Sequence, residues 1–202
     1  DTVTVGDNYN ITYDLADTDS TVTVDFYYDT DGTGLNGTAI TGCQDKAEAT
    51  GGTCAWDTNG ISPDTYYVYG ITNDGVNPDV TDYSPGEVTI NSAPTLSISQ
   101  PPSGDTDVAE NSSYNVTYTL ADTDDTVTAA FYYETDGNGS GGTSITGCGA
   151  KAEGTGQVCA FDTSVLTPGT PYYVYGVTSG DSANSPVTTV SSGTITVNDA
   201  PT

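Results

Sequence analysis

Tyr9-Asn10-Ile11-Thr12-Tyr13-Asp14-Leu15 and Tyr114-Asn115-Val116-Thr117-Tyr118-Thr119-Leu120 are one pattern written twice, 105 residues apart. In both, Tyr, Ile or Val, Tyr and Leu take alternate positions, with polar residues between them. A period of two marks a half-buried β-strand, because successive side chains leave a pleated strand on opposite faces. The same alternation returns at Val22, Val24, Phe26 and Tyr28, and at their counterparts Val127, Ala129, Phe131 and Tyr133. No segment sustains a helical period. The fold class is therefore all-β.

The repeat extends well beyond this strand. The offset of 105 holds for Cys43 and Cys148 and for Cys54 and Cys159. One inserted residue near Thr170 makes it 106 at Tyr66 and Tyr172, and Asn91-Ser92-Ala93-Pro94-Thr95 returns 107 residues later as Asn198-Asp199-Ala200-Pro201-Thr202. Regular self-similarity of this kind signals an array of equivalent modules. In 202 residues it predicts module 1 over residues 1–92 and module 2 over 93–199, with 200–202 opening a third copy. Module 1 has no counterpart of Thr95-Leu96-Ser97-Ile98-Ser99-Gln100, which reads as an opening strand. Two expectations stand for this: the chain is a section of a longer array, or a neighbouring subunit supplies the strand to an unpaired sheet edge.

Turn signals such as Asp31-Gly32, Asn36-Gly37, Asn73-Asp74-Gly75 and Asp136-Gly137 cut each module into about seven strands, the count of an immunoglobulin-like sandwich. The stretch Leu166-Thr167-Pro168-Gly169-Thr170-Pro171-Tyr172-Tyr173-Val174-Tyr175 resembles the Leu-x-Pro-x-Thr-x-Tyr-x-Val corner of fibronectin type III domains. In module 1 it is Ile61-Ser62-Pro63-Asp64-Thr65-Tyr66-Tyr67-Val68-Tyr69, one residue shorter. The resemblance implies that Tyr66 and Tyr172 bond back to the main chain at the corner between two strands. The early Trp of that family is absent, and Trp56, aligned with Phe161, precedes the corner instead. The whole unit, with its Asp-x-Asp pair, Phe-Tyr-Tyr strand, Asp-Gly loop and Pro-Thr-Tyr-Tyr corner, also resembles tandem repeats of large bacterial and archaeal surface proteins. That resemblance implies stalks, adhesins, sheaths and filaments, an extracellular or cell-surface location, and copies of itself or neighbouring repeats as partners. It carries no catalytic residues.

Charge removes several functions. There are 28 acidic residues against two lysines and no histidine, a net charge of -26. Nucleic-acid binding needs clustered Lys and Arg to neutralise phosphates, and an anionic membrane repels such a chain. No apolar run approaches the roughly 20 residues that span a bilayer, so this segment does not insert directly into a membrane.

Two cysteines at matched positions in each module make Cys43–Cys54 and Cys148–Cys159 the economical pairing. Closing a loop of this size is worth about 3 kcal/mol in the chain-entropy model and implies an oxidising compartment. The expected role is to staple a hairpin between strands C′ and E of the sandwich. A zinc site is the alternative, disfavoured by only two sulfurs per module and no histidine.

Carboxylates gather twice per module. Asp17 and Asp19 precede the Phe-Tyr-Tyr strand and Asp29 and Asp31 follow it; Asp122, Asp124, Glu134 and Asp136 are the counterparts. Asp29-Thr30-Asp31-Gly32-Thr33-Gly34 and Glu134-Thr135-Asp136-Gly137-Asn138-Gly139 look like the first half of a calcium loop, but Ile40 and Ile145 stand where an EF-hand needs a bidentate Glu. A weaker calcium site completed by carbonyls and water is one expectation, and solvated turn aspartates are the other; no cofactor is required. Lys46 and Lys151 each open a Lys-Ala-Glu that predicts a local ion pair with Glu48 or Glu153. Sequons at Asn10, Asn36, Asn111, Asn115 and Asn138 are glycosylation candidates.

Three function classes remain to be weighed. A structural repeat of a surface protein or filament, disulfide-stapled and open to calcium stiffening, fits the repetition. An adhesin or carbohydrate-binding module, taking surface glycans on exposed Tyr27, Tyr67, Tyr69 and Tyr83, is the alternative. An enzyme is not expected, since the chain has no histidine and no Ser or Cys nucleophile beside a base.

Overall fold

In a computed structural model of the protein, in which residues 1–199 are described, the chain divides into two compact units, Asp1–Ser92 and a second that begins at Ala93. Residues 200–202, where the sequence suggests a third copy, lie outside the described residues. Unit 1 contains β1 (Thr2–Thr4), β2 (Asn8–Leu15), β3 (Thr23–Asp29), β4 (Thr38–Ala39), β5 (Lys46–Ala47), β6 (Ala49–Asp57), β7 (Asp64–Asn73) and β8 (Thr81–Asn91). Unit 2 contains β9 (Thr95–Gln100), β10 (Gly104–Ala109), β11 (Ser113–Ala121), β12 (Thr128–Glu134), β13 (Thr143–Ser144), β14 (Lys151–Ala152), β15 (Gly154–Asp162), β16 (Pro171–Ser179) and β17 (Thr188–Asn198). Among the described residues, one 3-10 turn, Thr163–Val165, interrupts the strands of unit 2.

Each unit is a two-sheet sandwich. The larger sheet of unit 1 runs β1-β8-β7-β3-β4, with β5 also on β3; that of unit 2 runs β10-β17-β16-β12-β13, with β14 on β12. The first strand of each joins its sheet in parallel, β1 on β8 and β10 on β17, and the remaining pairs are antiparallel. The facing sheets differ. In unit 2 the order is β15-β11-β9, whereas in unit 1 it is β2-β6 alone.

The alternating residues form the cores, as the period of two requires. In unit 1, Ile11, Val24, Phe26, Trp56, Tyr66, Val68, Val88 and Ile90 are buried together. In unit 2, Leu96, Ile98, Val116, Tyr118, Leu120, Phe131, Phe161, Val174 and Ile195 are buried together. Trp56 is core rather than corner: its ring stacks on Tyr28 at 4.8 Å and meets Tyr66 edge-on at 5.9 Å. Phe161 and Tyr133 repeat the first contact at 5.1 Å, and Tyr172 packs edge-on against Tyr133.

Candidate functional site

The cysteines form both expected bridges, with Cα atoms 5.7 Å apart in each. Their position corrects one expectation. β4 and β5 lie in the larger sheet and β6 in the facing one, so Cys43–Cys54 does not staple a hairpin. It ties the crossover from one sheet to the strand opposite, and Cys148–Cys159 does the same before β15. A chain that changes sheets leaves a loop lying over the core edge, and a bond from loop to opposite strand holds the two layers at fixed spacing. All four sulfurs are buried.

The corner tyrosines differ between units. Tyr66 donates its hydroxyl proton to the Ser62 carbonyl at 2.9 Å, closing the corner as the fibronectin resemblance implies. In unit 2 the direction reverses, and the Thr167 amide donates to the Tyr172 hydroxyl at 3.3 Å. The additional residue near Thr170 lengthens this corner, which brings a different main-chain group to the ring.

The carboxylates at the two ends of β3 and β12 stand at opposite ends of seven-residue strands, roughly 20 Å apart. Most of their hydrogen bonds fold their own loops. Asp17 accepts the Asp19 amide and the Ser20 hydroxyl, and these bonds hold its carboxyl below the usual range, the Asp19 amide contributing most. Asp19, hydrogen-bonded to that carboxylate, is pushed up. Asp31 caps the Thr33 amide, Asp122 the Asp124 and Asp125 amides, Asp136 the Asn138 amide and side chain, and Asp124 accepts from the Thr123 hydroxyl. Asp29 Oδ1 accepts the Gly32 amide at 2.9 Å. Gly32 itself needs φ +64°, and a Cβ there would stand 3.1 Å from the Tyr67 ring. Among the described residues, no group of three or more His, Cys, Asp or Glu is arranged to hold a metal. The expected Lys-Glu pairs are replaced by main-chain bonds: Glu48 accepts the Asp17 amide and Glu153 the Asp122 amide, so each tethers the turn after the second or eleventh strand.

Two carboxylate oxygens in unit 2 are buried without a partner, Asp122 Oδ2 and Glu134 Oε2. Each follows from one residue difference. Where Ser20 donates to Asp17, unit 2 has Asp125, which has no hydroxyl to give. Where Tyr83 donates to Asp29 Oδ2 at 2.6 Å, unit 2 has Val190.

Of the four tyrosines considered as a ligand platform, Tyr69 is only 1% exposed, a correction to that expectation. It stacks on Tyr27 at 5.2 Å, contacts Tyr83 at 4.9 Å and accepts the Gly37 amide, so the loop from 30 to 37 closes over it. The Tyr67 hydroxyl is bonded to Glu87. Tyr83, desolvated and bonded to Asp29, has its hydroxyl pushed up to about 12. The sequon residues Asn10, Asn36, Asn111, Asn115 and Asn138 are all exposed; the Asn138 amide is engaged by Asp136.

Beside the sheet edge that lacks an opening strand, unit 1 has a cleft of about 400 Å³, whose lining residues were not singled out as a site in the sequence. Ile11, Tyr13 and Leu15 of β2 form one wall, Phe26 and Gly70 the floor, and Asp82 and Tyr83 of β8 the other wall. Its only sequence signal is the absence of a Thr95–Gln100 counterpart in module 1.

No family model matches the chain, and no curated protein matches it. Solved structures do. The chain is similar over 98% of its length to the insect immune protein hemolin, at 14% identity and a TM-score of 0.53, and spans 44% of that chain. It is also similar to the fibronectin(III)-like modules of CbhA from Clostridium thermocellum, at 15% identity and a TM-score of 0.35, covering 98% of this chain and 89% of that one. Identity this low speaks of fold alone: both units are immunoglobulin/fibronectin III-like sandwiches.

Proposed function

We propose that the chain is a structural repeat segment of an extracellular surface protein or filament, whose partners are neighbouring repeats or further copies. The observation that carries this reading is the equivalent disulfide in each unit, buried at the same crossover and set by the same 105-residue repeat. Such bonds persist in oxidising surroundings, and repetition of a stapled sandwich serves spacing and mechanical strength. The absence of histidine and arginine supports a non-enzymatic role. The test is thiol counting and electron microscopy of native material: blocked thiols and a periodic assembly are expected, and four free thiols would overturn the reading.

Calcium, in this reading, stiffens unit 2 rather than unit 1. The support is one bare oxygen at each end of β12, Asp122 Oδ2 and Glu134 Oε2, two separate places rather than one cage, against the satisfied counterparts on Asp17 and Asp29. Extracellular modules bind calcium at about 10⁻⁴–10⁻³ M. Millimolar calcium is expected to raise the melting temperature of unit 2 and EDTA to reverse it; indifference to both rejects the ion. The glycan-binding alternative has less support, since Tyr69 is buried and the Tyr67 and Tyr83 hydroxyls are already bonded.

A further inference from the structure

We infer that Asn59 is a site of spontaneous main-chain modification: the Gly60 nitrogen attacks the Asn59 side-chain carbonyl, ammonia leaves, and water opens the resulting succinimide to aspartate or isoaspartate. The inference rests on local geometry and not on the function proposed above.

The step balances with water alone. The bond from the Gly60 nitrogen to Asn59 Cγ forms as the bond from Cγ to Nδ2 breaks, and the amide proton departs with the ammonia. One water then splits the ring at either carbonyl and returns a proton to the Gly60 nitrogen. The reaction needs a main-chain amide free to lose its proton, a following residue with no Cβ in the way, and an Asn side chain free to turn onto it.

The chain has three Asn-Gly pairs, Asn36-Gly37, Asn59-Gly60 and Asn138-Gly139. Their local sequence ranks them together, and the fold separates them. The Gly37 amide donates to the hydroxyl of the buried Tyr69 at 2.9 Å. The Gly139 amide donates to Glu134 Oε1 at 2.6 Å. A carboxylate so close also opposes the negative charge that the nitrogen acquires when it loses its proton. The Asn138 side chain is held as well, donating to Asp136 Oδ2 and accepting from the Ser140 amide and hydroxyl.

Neither restraint exists at Asn59. It and Gly60 are exposed in a turn closed by the Ile61 amide on the Thr58 carbonyl. Asp57 Oδ1 accepts the amide of Asn59 itself, and among the described residues the Gly60 amide and the Asn59 side chain have no hydrogen-bond partner. Gly60 has φ +79°, and no atom lies within 4 Å of the place a Cβ would take. Asn59-Gly60-Ile61 is not a sequon, so no N-linked glycan occupies the side-chain nitrogen. In unit 2 the same turn is Thr163-Ser164-Val165-Leu166, with the equivalent bond from the Leu166 amide to the Thr163 carbonyl, and Ser164 has no side-chain carbonyl to attack. The turn is reactive in unit 1 and inert in unit 2.

Its position gives the reaction a structural consequence. Thr58 is fully buried, and its hydroxyl donates to the Asp7 carbonyl at 2.7 Å and accepts the Gly6 amide at 3.0 Å. On the other side of the turn, Ile61 packs against the core. Isoaspartate adds a methylene to the main chain between these two anchors, so conversion loosens this corner of unit 1.

The test is incubation of the 202-residue protein, folded and in urea, at mildly alkaline pH, followed by reduction, chymotryptic cleavage and mass spectrometry of the three Asn-Gly segments. In urea all three are expected to react at similar rates. In the folded protein Asn36 and Asn138 should slow by about tenfold, the factor that one hydrogen bond permits, while Asn59 keeps the rate it has in urea. The unit 1 transition reported by Trp56 should move to lower urea as the Asn59 product accumulates, and Asn59→Ser, which installs the unit 2 residue, should hold it in place. The inference is overturned if folding slows Asn59 as much as the other two, or if Asn36 or Asn138 reacts faster than Asn59 in the folded state. It is equally overturned if the Trp56 transition of fully converted protein does not move.

Discussion

Leu120 and Tyr118 of unit 2 are 1% and 2% exposed, while their equivalents Leu15 and Tyr13 in unit 1 are only half-buried, although the strands that carry them are nearly the same in sequence. The difference is one strand. β9 covers the rim of unit 2 with Leu96 and Ile98, and the same rim of unit 1 is a cleft. Identical periodicity therefore yields unequal burial, because a strand's pattern determines which face turns inward and its neighbours determine how completely that face is covered.

The largest way to break the contrast is to strip β9 of its apolar contacts. Leu96→Ala with Ile98→Ala should destabilise unit 2 by about 4 kcal/mol or more, given about 2–5 kcal/mol for one such truncation in a core and coupling between neighbours. Urea unfolding followed by Trp56, the only tryptophan and a reporter for unit 1, and by hydrogen exchange for unit 2 would resolve the two transitions. A unit 2 transition that does not move would show that β9 contributes little to closing the core. Next in size is the disulfide. Replacing Cys43 and Cys54 by Ala should cost about 3 kcal/mol, and the same change at Cys148 and Cys159 a similar amount. Unit 1, with the smaller core, is expected to unfold at lower urea than unit 2 after equal loss. The reverse order would mean that the open rim is not a weakness.

These contrasts also mark how far the sequence could be read. The alternation of Tyr9 to Leu15, the repeat and the paired cysteines made the two sandwiches, the disulfides and the core faces legible, because each depends on local period or on matched position. The sheet that each strand joins did not follow from either. β4 and β6 are close in sequence but lie on opposite layers, so the bridge expected within a hairpin crosses the core. Tyr69 carries the same pattern as an exposed sheet residue, and only the loop from 30 to 37 folding over it decides that it is buried. The carboxylates were legible as clusters but not as satisfied or bare. That depends on Ser20 against Asp125 and Tyr83 against Val190, partners up to 54 residues away in the chain.

A smaller effect separates the two corners. Tyr66→Phe removes a partly buried hydrogen bond from the Tyr66 hydroxyl to the Ser62 carbonyl and should cost about 1 kcal/mol. Tyr172→Phe removes an acceptor from the exposed Thr167 amide, which can turn to water, and should cost less. Equal losses in a urea titration of the two variants would show that the reversed bond is no weaker.

The finest difference is visible only in alkali. Tyr83 of unit 1 has its hydroxyl pushed up to about 12, first by desolvation and then by its bond to Asp29, against an ordinary value near 10. The folded state therefore favours the protonated form. This contribution is whole below about pH 10, where both states hold the proton, and is lost as pH rises through about 12. Tyr27, Tyr66 and Tyr67 are raised in the same direction, the first two chiefly by desolvation and Tyr67 by its bond to Glu87; in unit 2 the raised pair is Tyr114 and Tyr118. Unit 1 is thus expected to lose more stability than unit 2 between pH 10 and 12, measured as the shift of each urea midpoint. Tyr83→Phe leaves Asp29 Oδ2 without its donor at neutral pH and flattens the alkaline slope of unit 1. If the substitution leaves that slope unchanged, the bond between Tyr83 and Asp29 is not what distinguishes the two loops.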